Sequence, residues 1–274
     1  ASAELTMRRT SLVPETSTLL IPPGATLRFQ EQAGIVCRGQ IVARGERFNP
    51  ITLTAATPAN GWGNVTVIGE QASIQFERVT IEHGRGSMVR GPLGREEVTP
   101  AGRAGAGLGG ALIVAGSARV SILSDCTIQA CQVQATRSPQ GVTGGFGGAI
   151  VVSMAALELR RTTIRQNQAA AIAAAIALVS GGRLRLSEEV TFIENSAQFG
   201  GAVYAESDSW LRSDRSIFRA NIAGRAGGAI SFTERVHEFL SGGVVEGNRA
   251  SGPGGALRVV DTDDVWIRDV IFRN

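Results

Sequence analysis

The chain has 274 residues, 43% of them hydrophobic and 5% aromatic, with 35 glycines. That is enough apolar material for a packed core, and it argues against disorder. All 27 basic residues are arginine, but the formal net charge is only +3 and the arginines are scattered. This argues against a nucleic-acid partner, which would require clustered basic residues.

The first residues, Ala1-Ser2-Ala3-Glu4-Leu5, read like the surroundings of a signal-peptidase site, so an exported protein is expected. The longest apolar run, Ala169–Val179, has 11 residues, too few to span a bilayer as a helix. Residues 1–30 read as an N-terminal cap and first coil. Ser73–Gly84 aligns with Ser121–Cys131 if one gap is allowed, which places Ile81 with Ile128 and puts Cys131 where later segments carry Asn. Two stretches break the pattern, residues 84–108 and 132–146, and both are expected to be long inserted loops on one side of the molecule. Cys37, Cys126 and Cys131 form no closed disulfide framework. Cys126 and Cys131 either bridge or act as small buried hydrophobes.

From Gly109 onward an internal repeat dominates. Gly-Gly-Ala followed by Ile, Leu or Val occurs at Gly109–Leu112, Gly147–Ile150, Gly200–Val203, Gly227–Ile230 and Gly254–Leu257. A second phrase places an apolar residue three before an Asn: Ile164–Asn167, Phe192–Asn195, Phe218–Asn221, Val245–Asn248 and Ile271–Asn274. The asparagines lie 28, 26, 27 and 26 residues apart. Short alternating runs such as Arg183–Leu186 and Val265–Ile267 separate the phrases, and they are too short for paired helices. A repeat of this length with two or three short strands predicts an all-β fold, one coil per repeat of a parallel β-helix. Residues 109–274 form the regular part of this single domain.

In such a solenoid equivalent residues stack in columns. The residue after Gly-Gly-Ala forms one inward apolar column. The first residue of the second phrase, from Ile128 through Ile271, forms another. Asn167, Asn195, Asn221, Asn248 and Asn274 are expected to form a corner ladder, with Asn itself in the left-handed conformation of the turn. The stretch Gln168–Ser180 (QAAAIAAAIALVS) has the propensity of a helix. Its register, however, puts Ala173-Ala174-Ala175-Ile176 where the repeat requires Gly-Gly-Ala-Ile, so a corner followed by a strand at about Ala175–Val179 is expected.

Acids gather after the Gly-Gly-Ala strand: Glu206 and Asp208, then Glu234, then Asp261, Asp263 and Asp264, with His237 and Arg258 nearby. Three readings fit them. They are solvated turn residues, a polysaccharide-cleaving site, or a Ca²⁺ site formed by Asp261, Asp263 and Asp264. They are the only catalytic or metal candidates, and no cofactor is implied. His83 reads as a turn donor, Trp62 as a structural residue of the first coils, and Trp210 and Trp266 as a cover over the stack.

The paired phrases, as in FIENSAQFGGAV and FRANIAGRAGGAI, resemble the repeats of the chlamydial polymorphic outer membrane proteins. The segments IPPGATLRF, GWGNVTV and VTIEHG resemble the first coils of secreted right-handed β-helix proteins. These resemblances imply a right-handed parallel β-helix, export to the cell surface, outer membrane or periplasm, and a role in adhesion or surface structure. The expected partner is a protein or glycan at a surface, met without a transmembrane segment of the chain's own. Two alternatives are self-association or docking into a larger assembly through open coil ends, and a carbohydrate-active enzyme.

Overall fold

The computed structural model describes residues 3–86, 108–138, 141–262 and 264–274. The chain winds as a right-handed parallel β-helix. Three long parallel sheets run its length: sheet A with ten strands, and sheets B and C with nine each. A fourth, sheet D, has five short strands between A and B. Coil seven shows the path: Thr191–Ile193 in A, Ser196–Phe199 in D, Val203–Ala205 in B and Trp210–Asp214 in C. Coil one begins with Glu4–Met7, and Ile271–Arg273 is the first strand of coil ten.

Two coils are long. Equivalent residues lie 28 apart between Thr54 and Glu82, 47 between Glu82 and Gln129, and 36 between Gln129 and Arg165. The ladder asparagines then follow at 28, 26 and 27. Residues 132–146, read in sequence as a loop, contain strand Gln132–Val133 of sheet D and an antiparallel hairpin, Ala135–Ser138 with Gly141–Gly144. Gly and Thr around the turn hid this hairpin from a reading based on apolar alternation. Most of the earlier insertion, residues 87–107, lies outside the described residues.

The columns are set by hydrogen-bonded register. Leu112, Ile150, Ile176, Val203, Ile230 and Leu257 pair successively in sheet B. Ile81, Ile128, Ile164, Phe192, Phe218 and Val245 do so in sheet A. The rings of Phe192 and Phe218 stack at 4.7 Å, the spacing of the strands that carry them. In the last coil the register differs from the sequence reading. Phe272, not Ile271, pairs with Val245. Ile271-Phe272-Arg273 repeats Ile217-Phe218-Arg219, so Asn274 corresponds to Ala220 and stands one residue short of the ladder. Two adjacent apolar residues there made the spacing ambiguous.

The alanine-rich stretch is not a helix. Ile176–Val179 is a buried strand of sheet B, and Ala173, Ala174 and Ala175 fill the Gly-Gly-Ala positions. Ala173 takes φ of 50°, close to the 60° of Gly147 and Gly200 in the neighbouring coils. An L-residue there costs about 1–2 kcal/mol. A helix of 11 residues would rise ~16 Å where coils are ~4.8 Å apart, and both neighbouring coils would lose their backbone partners. Elsewhere the glycines are required by space as well: a Cβ on Gly201 would fall 2.1 Å from the Gly228 carbonyl oxygen.

Asn167, Asn195 and Asn221 are fully buried. The Asn195 side chain gives one hydrogen to the Ile164 carbonyl of the coil before, at 3.0 Å, and one to Asn221 Oδ1 of the coil after, at 3.0 Å. Its own Oδ1 accepts the Nδ2 and the backbone N–H of Asn167. Asn221 repeats this with Phe192 and Asn248. All four hydrogen-bonding positions of the Asn195 and Asn221 amides are thus used. Cys131 starts the row, its N–H donating to Asn167 Oδ1 at 3.0 Å. The left-handed residue is the one before each Asn (Gln166, Glu194, Ala220 and Gly247) and before Cys131 (Ala130), not Asn itself. That frees the amide to point inward. Cys126 and Cys131 do not bridge. All three thiols are free and buried, and burial pushes Cys126 and Cys131 up to about 12 and Cys37 to about 11.

Candidate functional site

Of the acids singled out in the sequence, Glu206, Asp208, Glu234 and Asp261 lie at the corner between sheets B and C. Asp208, Glu234 and Asp261 have positive φ, the conformation that turns the chain there. Three of these corner carboxylates have separate engagements. Glu206 accepts the Tyr204 hydroxyl at 3.0 Å, Glu234 accepts Ser207 Oγ at 3.1 Å, and Asp208 pairs with Arg235 at 2.9 Å. Asp264 belongs to the next strand and meets His237 Nδ1 at 3.1 Å. Asp263 lies outside the described residues. Among the described residues no three His, Cys, Asp or Glu side chains gather where they could hold a metal ion.

A different surface stands out: the outer face of sheet C. Alternation along its strands sends every second side chain outward. One outward column is Arg183, Trp210, His237 and Asp264, and the next is Arg185, Arg212, Phe239 and Trp266. Trp210 is 50% exposed, Phe239 38% and Trp266 67%, so the two tryptophans do not cover the stack but stand out from it. Trp62 is the contrast. It is buried, stacks on Phe29 at 4.4 Å, and donates its Nε1–H to the Glu82 carbonyl at 2.7 Å. The sequence set Trp62 apart as a structural residue but read Trp210 and Trp266 as a cover. Counting outward from Leu184 and Leu211 would have placed these two on the outer face.

The outward side chains border a groove of about 930 Å³ that crosses coils four to nine. Trp210 stacks on His237 at 4.3 Å, and the Arg212 guanidinium lies 5.6 Å from the centre of the Phe239 ring. Glu158, at one end, hydrogen-bonds Arg160 at 3.0 Å and lies 3.8 Å from Arg185; the Arg160 hydrogen bond holds its carboxyl below the usual range. Arg183 and Arg212 have no carboxylate partner among the described residues. A second groove of about 250 Å³ continues past Arg185 and Arg212 toward Asp214 and Ser241.

Beneath this face sits an anomaly. Glu238 occupies the inward column between Leu211 and Val265. It is 3% exposed, and neither carboxylate oxygen has a hydrogen-bond partner. Loss of hydration raises its pKa to about 8. Coil eight therefore inverts the usual order, with an acid inward and an adjacent phenylalanine outward.

The family model of the Chlamydia polymorphic membrane protein repeat matches residues 189–206. That segment is the passage of coil seven from sheet A through D into B, and it holds Phe192, Asn195 and Gly200–Val203. No curated protein and no solved structure matches the chain. The solenoid thus carries a coil similar to a repeat of the polymorphic membrane proteins; both flanking coils reproduce its asparagine in register, and at its Gly-Gly-Ala the following coil repeats Gly-Gly-Ala while the preceding one has Ala173-Ala174-Ala175.

Proposed function

We propose that the chain is an exported binding solenoid, displayed at the cell surface or outer membrane, whose contact surface is the outer face of sheet C. The observation that carries this reading is the set of Trp210, Phe239 and Trp266, exposed on three successive coils of one otherwise regular sheet. Exposed aromatic residues beside arginines are the composition of binding hot spots, whereas a merely solvated face carries short polar or charged side chains. The polymorphic membrane protein repeat supports the location. The acids at the B–C corner give no comparable support to a cleaving enzyme, because Glu206, Asp208 and Glu234 are each engaged by a separate partner.

Oxidative footprinting tests this in place. In the purified chain Trp210 and Trp266 are expected to be modified and Trp62 spared. On the cells that produce the protein, an impermeant antibody should reach the chain, and both outer tryptophans should be protected. Equal modification in the two settings, or antibody staining only after lysis, would overturn the reading.

A further inference from the structure

Resting on that reading of the sheet C face, we propose that its occupant is a second copy of this chain. The two copies pack face to face with coil order reversed, about a two-fold axis that runs along the strands between coils seven and eight. A two-fold contact must be complementary to itself, because every residue pair in it occurs twice. The two central outward columns divide into unlike halves. Coils six and seven carry Arg183, Arg185, Trp210 and Arg212, whereas coils eight and nine carry His237, Phe239, Asp264 and Trp266. The proposed axis keeps each column opposite itself and exchanges coil seven with eight and coil six with nine. Arg183 then meets Asp264 of the second copy. Asp264 is 61% exposed despite its bond to His237, so it has an oxygen to offer. Arg185 meets the ring of Trp266, and Arg212 the ring of Phe239. Trp210 meets His237. The last two pairings repeat ones already made within a single chain, at 5.6 Å and 4.3 Å. Every arginine of these columns thus faces an acid or an aromatic ring.

The neighbouring arrangements do not share this property. An axis through coil seven sets Arg212 against its own copy, and one between coils six and seven sets Arg185 against Arg212. An axis through coil eight leaves Arg183 and Arg185 facing no strand of sheet C. Copies with the same coil order set Arg183 against Arg185. In the chosen arrangement the next column adds no like charges either, since Asp214 meets Ser241 and Ser187 meets Arg268. Glu158, on coil five, falls beyond coil nine of the second copy and keeps Arg160. The contact is small. Four coils ~4.8 Å apart, with five-residue strands rising ~3.3 Å per residue, make a patch of about 300 Å² per copy before side-chain relief is counted. That is the size of a weak, reversible contact. The chain is therefore monomeric when dilute and pairs where copies are held close together, as on a surface.

Sedimentation velocity of the full chain over a concentration series tests this. Wild type should pass reversibly from monomer to dimer in the micromolar range or above. Trp266→Ala should weaken the dimer about tenfold or more. Arg183→Asp sets two acids against each other and Asp264→Arg two arginines, so each should also weaken it about tenfold or more. The monomer's melting temperature should stay near that of wild type, because both side chains are exposed. The combinations decide the pairing. Mixing the two single variants should give a heterodimer, and Arg183→Asp/Asp264→Arg in one chain should restore the homodimer, since in both cases every acid faces an arginine again. Three results would overturn the proposal: a wild type that stays monomeric at submillimolar concentration, a dimer indifferent to both reversals, or single losses that neither combination rescues. If the chain stays monomeric while the outer tryptophans are protected on cells, the second copy falls and the contact face stands with another occupant. If protection is absent too, both fall.

Discussion

Two sets of polar side chains lie inside this solenoid and illustrate opposite solutions to the same problem. At the A–D corner, Asn195 and Asn221 are as buried as any leucine, yet every donor and acceptor of their amides is matched by the coils on either side. Under sheet C, Glu238 is equally enclosed and has no partner. A buried polar group is stabilising only when its whole valence is met, and a one-per-coil repeat can meet it by stacking copies of one residue. Glu238 has Leu211 and Val265 above and below it in place of copies of itself, so repetition cannot help it.

The sharpest way to break the ladder is Asn221→Ala. This removes the hydrogen bonds to Phe192 and Asn248 and orphans the Asn195 backbone N–H and one hydrogen of its amide. A loss of about 3 kcal/mol or more is expected from several unsatisfied groups. Asn167→Ala should cost less, because its Oδ1 serves only the Cys131 N–H. Urea denaturation of the two variants checks the order, and equal midpoints would contradict the account.

Glu238 is predicted to behave in the reverse sense. Its folded pKa of about 8 lies above the ordinary 4.5. The native state therefore holds a proton that the unfolded state releases, and stability falls as pH rises from about 4.5 to about 8. At neutral pH this amounts to roughly 3 kcal/mol. Glu238→Leu should raise the melting temperature and extend the Leu184–Leu211 column. Glu238→Gln should flatten the pH dependence while leaving an unpartnered amide. Melting curves between pH 5 and pH 9 decide it. A wild type that gains stability as pH rises through this range would show that the carboxyl finds a partner.

The smallest effect is expected at Ala173. Ala173→Gly relieves a left-handed φ at the cost of chain entropy and a buried methyl group, a net gain of a few tenths to about 1 kcal/mol. The same exchange at Ala175, which packs in the core outside the left-handed corner, should destabilise.

Much of this arrangement is legible in the sequence because a solenoid writes its geometry as a period. Gly-Gly-Ala and the spaced asparagines mark the B and A–D positions coil by coil, and they overrule the helical propensity of the alanine run. What stays hidden is whatever the repeat does not constrain. The left-handed corner before sheet A is filled by Arg78, Asp125, Arg161, Glu188, Arg215, Gly242 and Asp269, residue types with no common pattern. The outward tryptophans and the inward Glu238 follow from parity along a strand. In His237-Glu238-Phe239-Leu240 composition argues for one parity and register imposes the other. Aligning Glu238 with Leu211 one repeat earlier is the signal that could have found it.

The two long coils have a consequence for how the chain acquires its shape. Nearly every strand pair joins residues one coil apart, so the molecule can grow by accretion, each finished coil serving as template for the next. The widest closure lies between Glu82 and Gln129, 47 residues apart where the later coils need 27. Since closure entropy grows only logarithmically, that detour adds about 0.5 kcal/mol. A solenoid can therefore carry a large side excursion almost without slowing its own propagation.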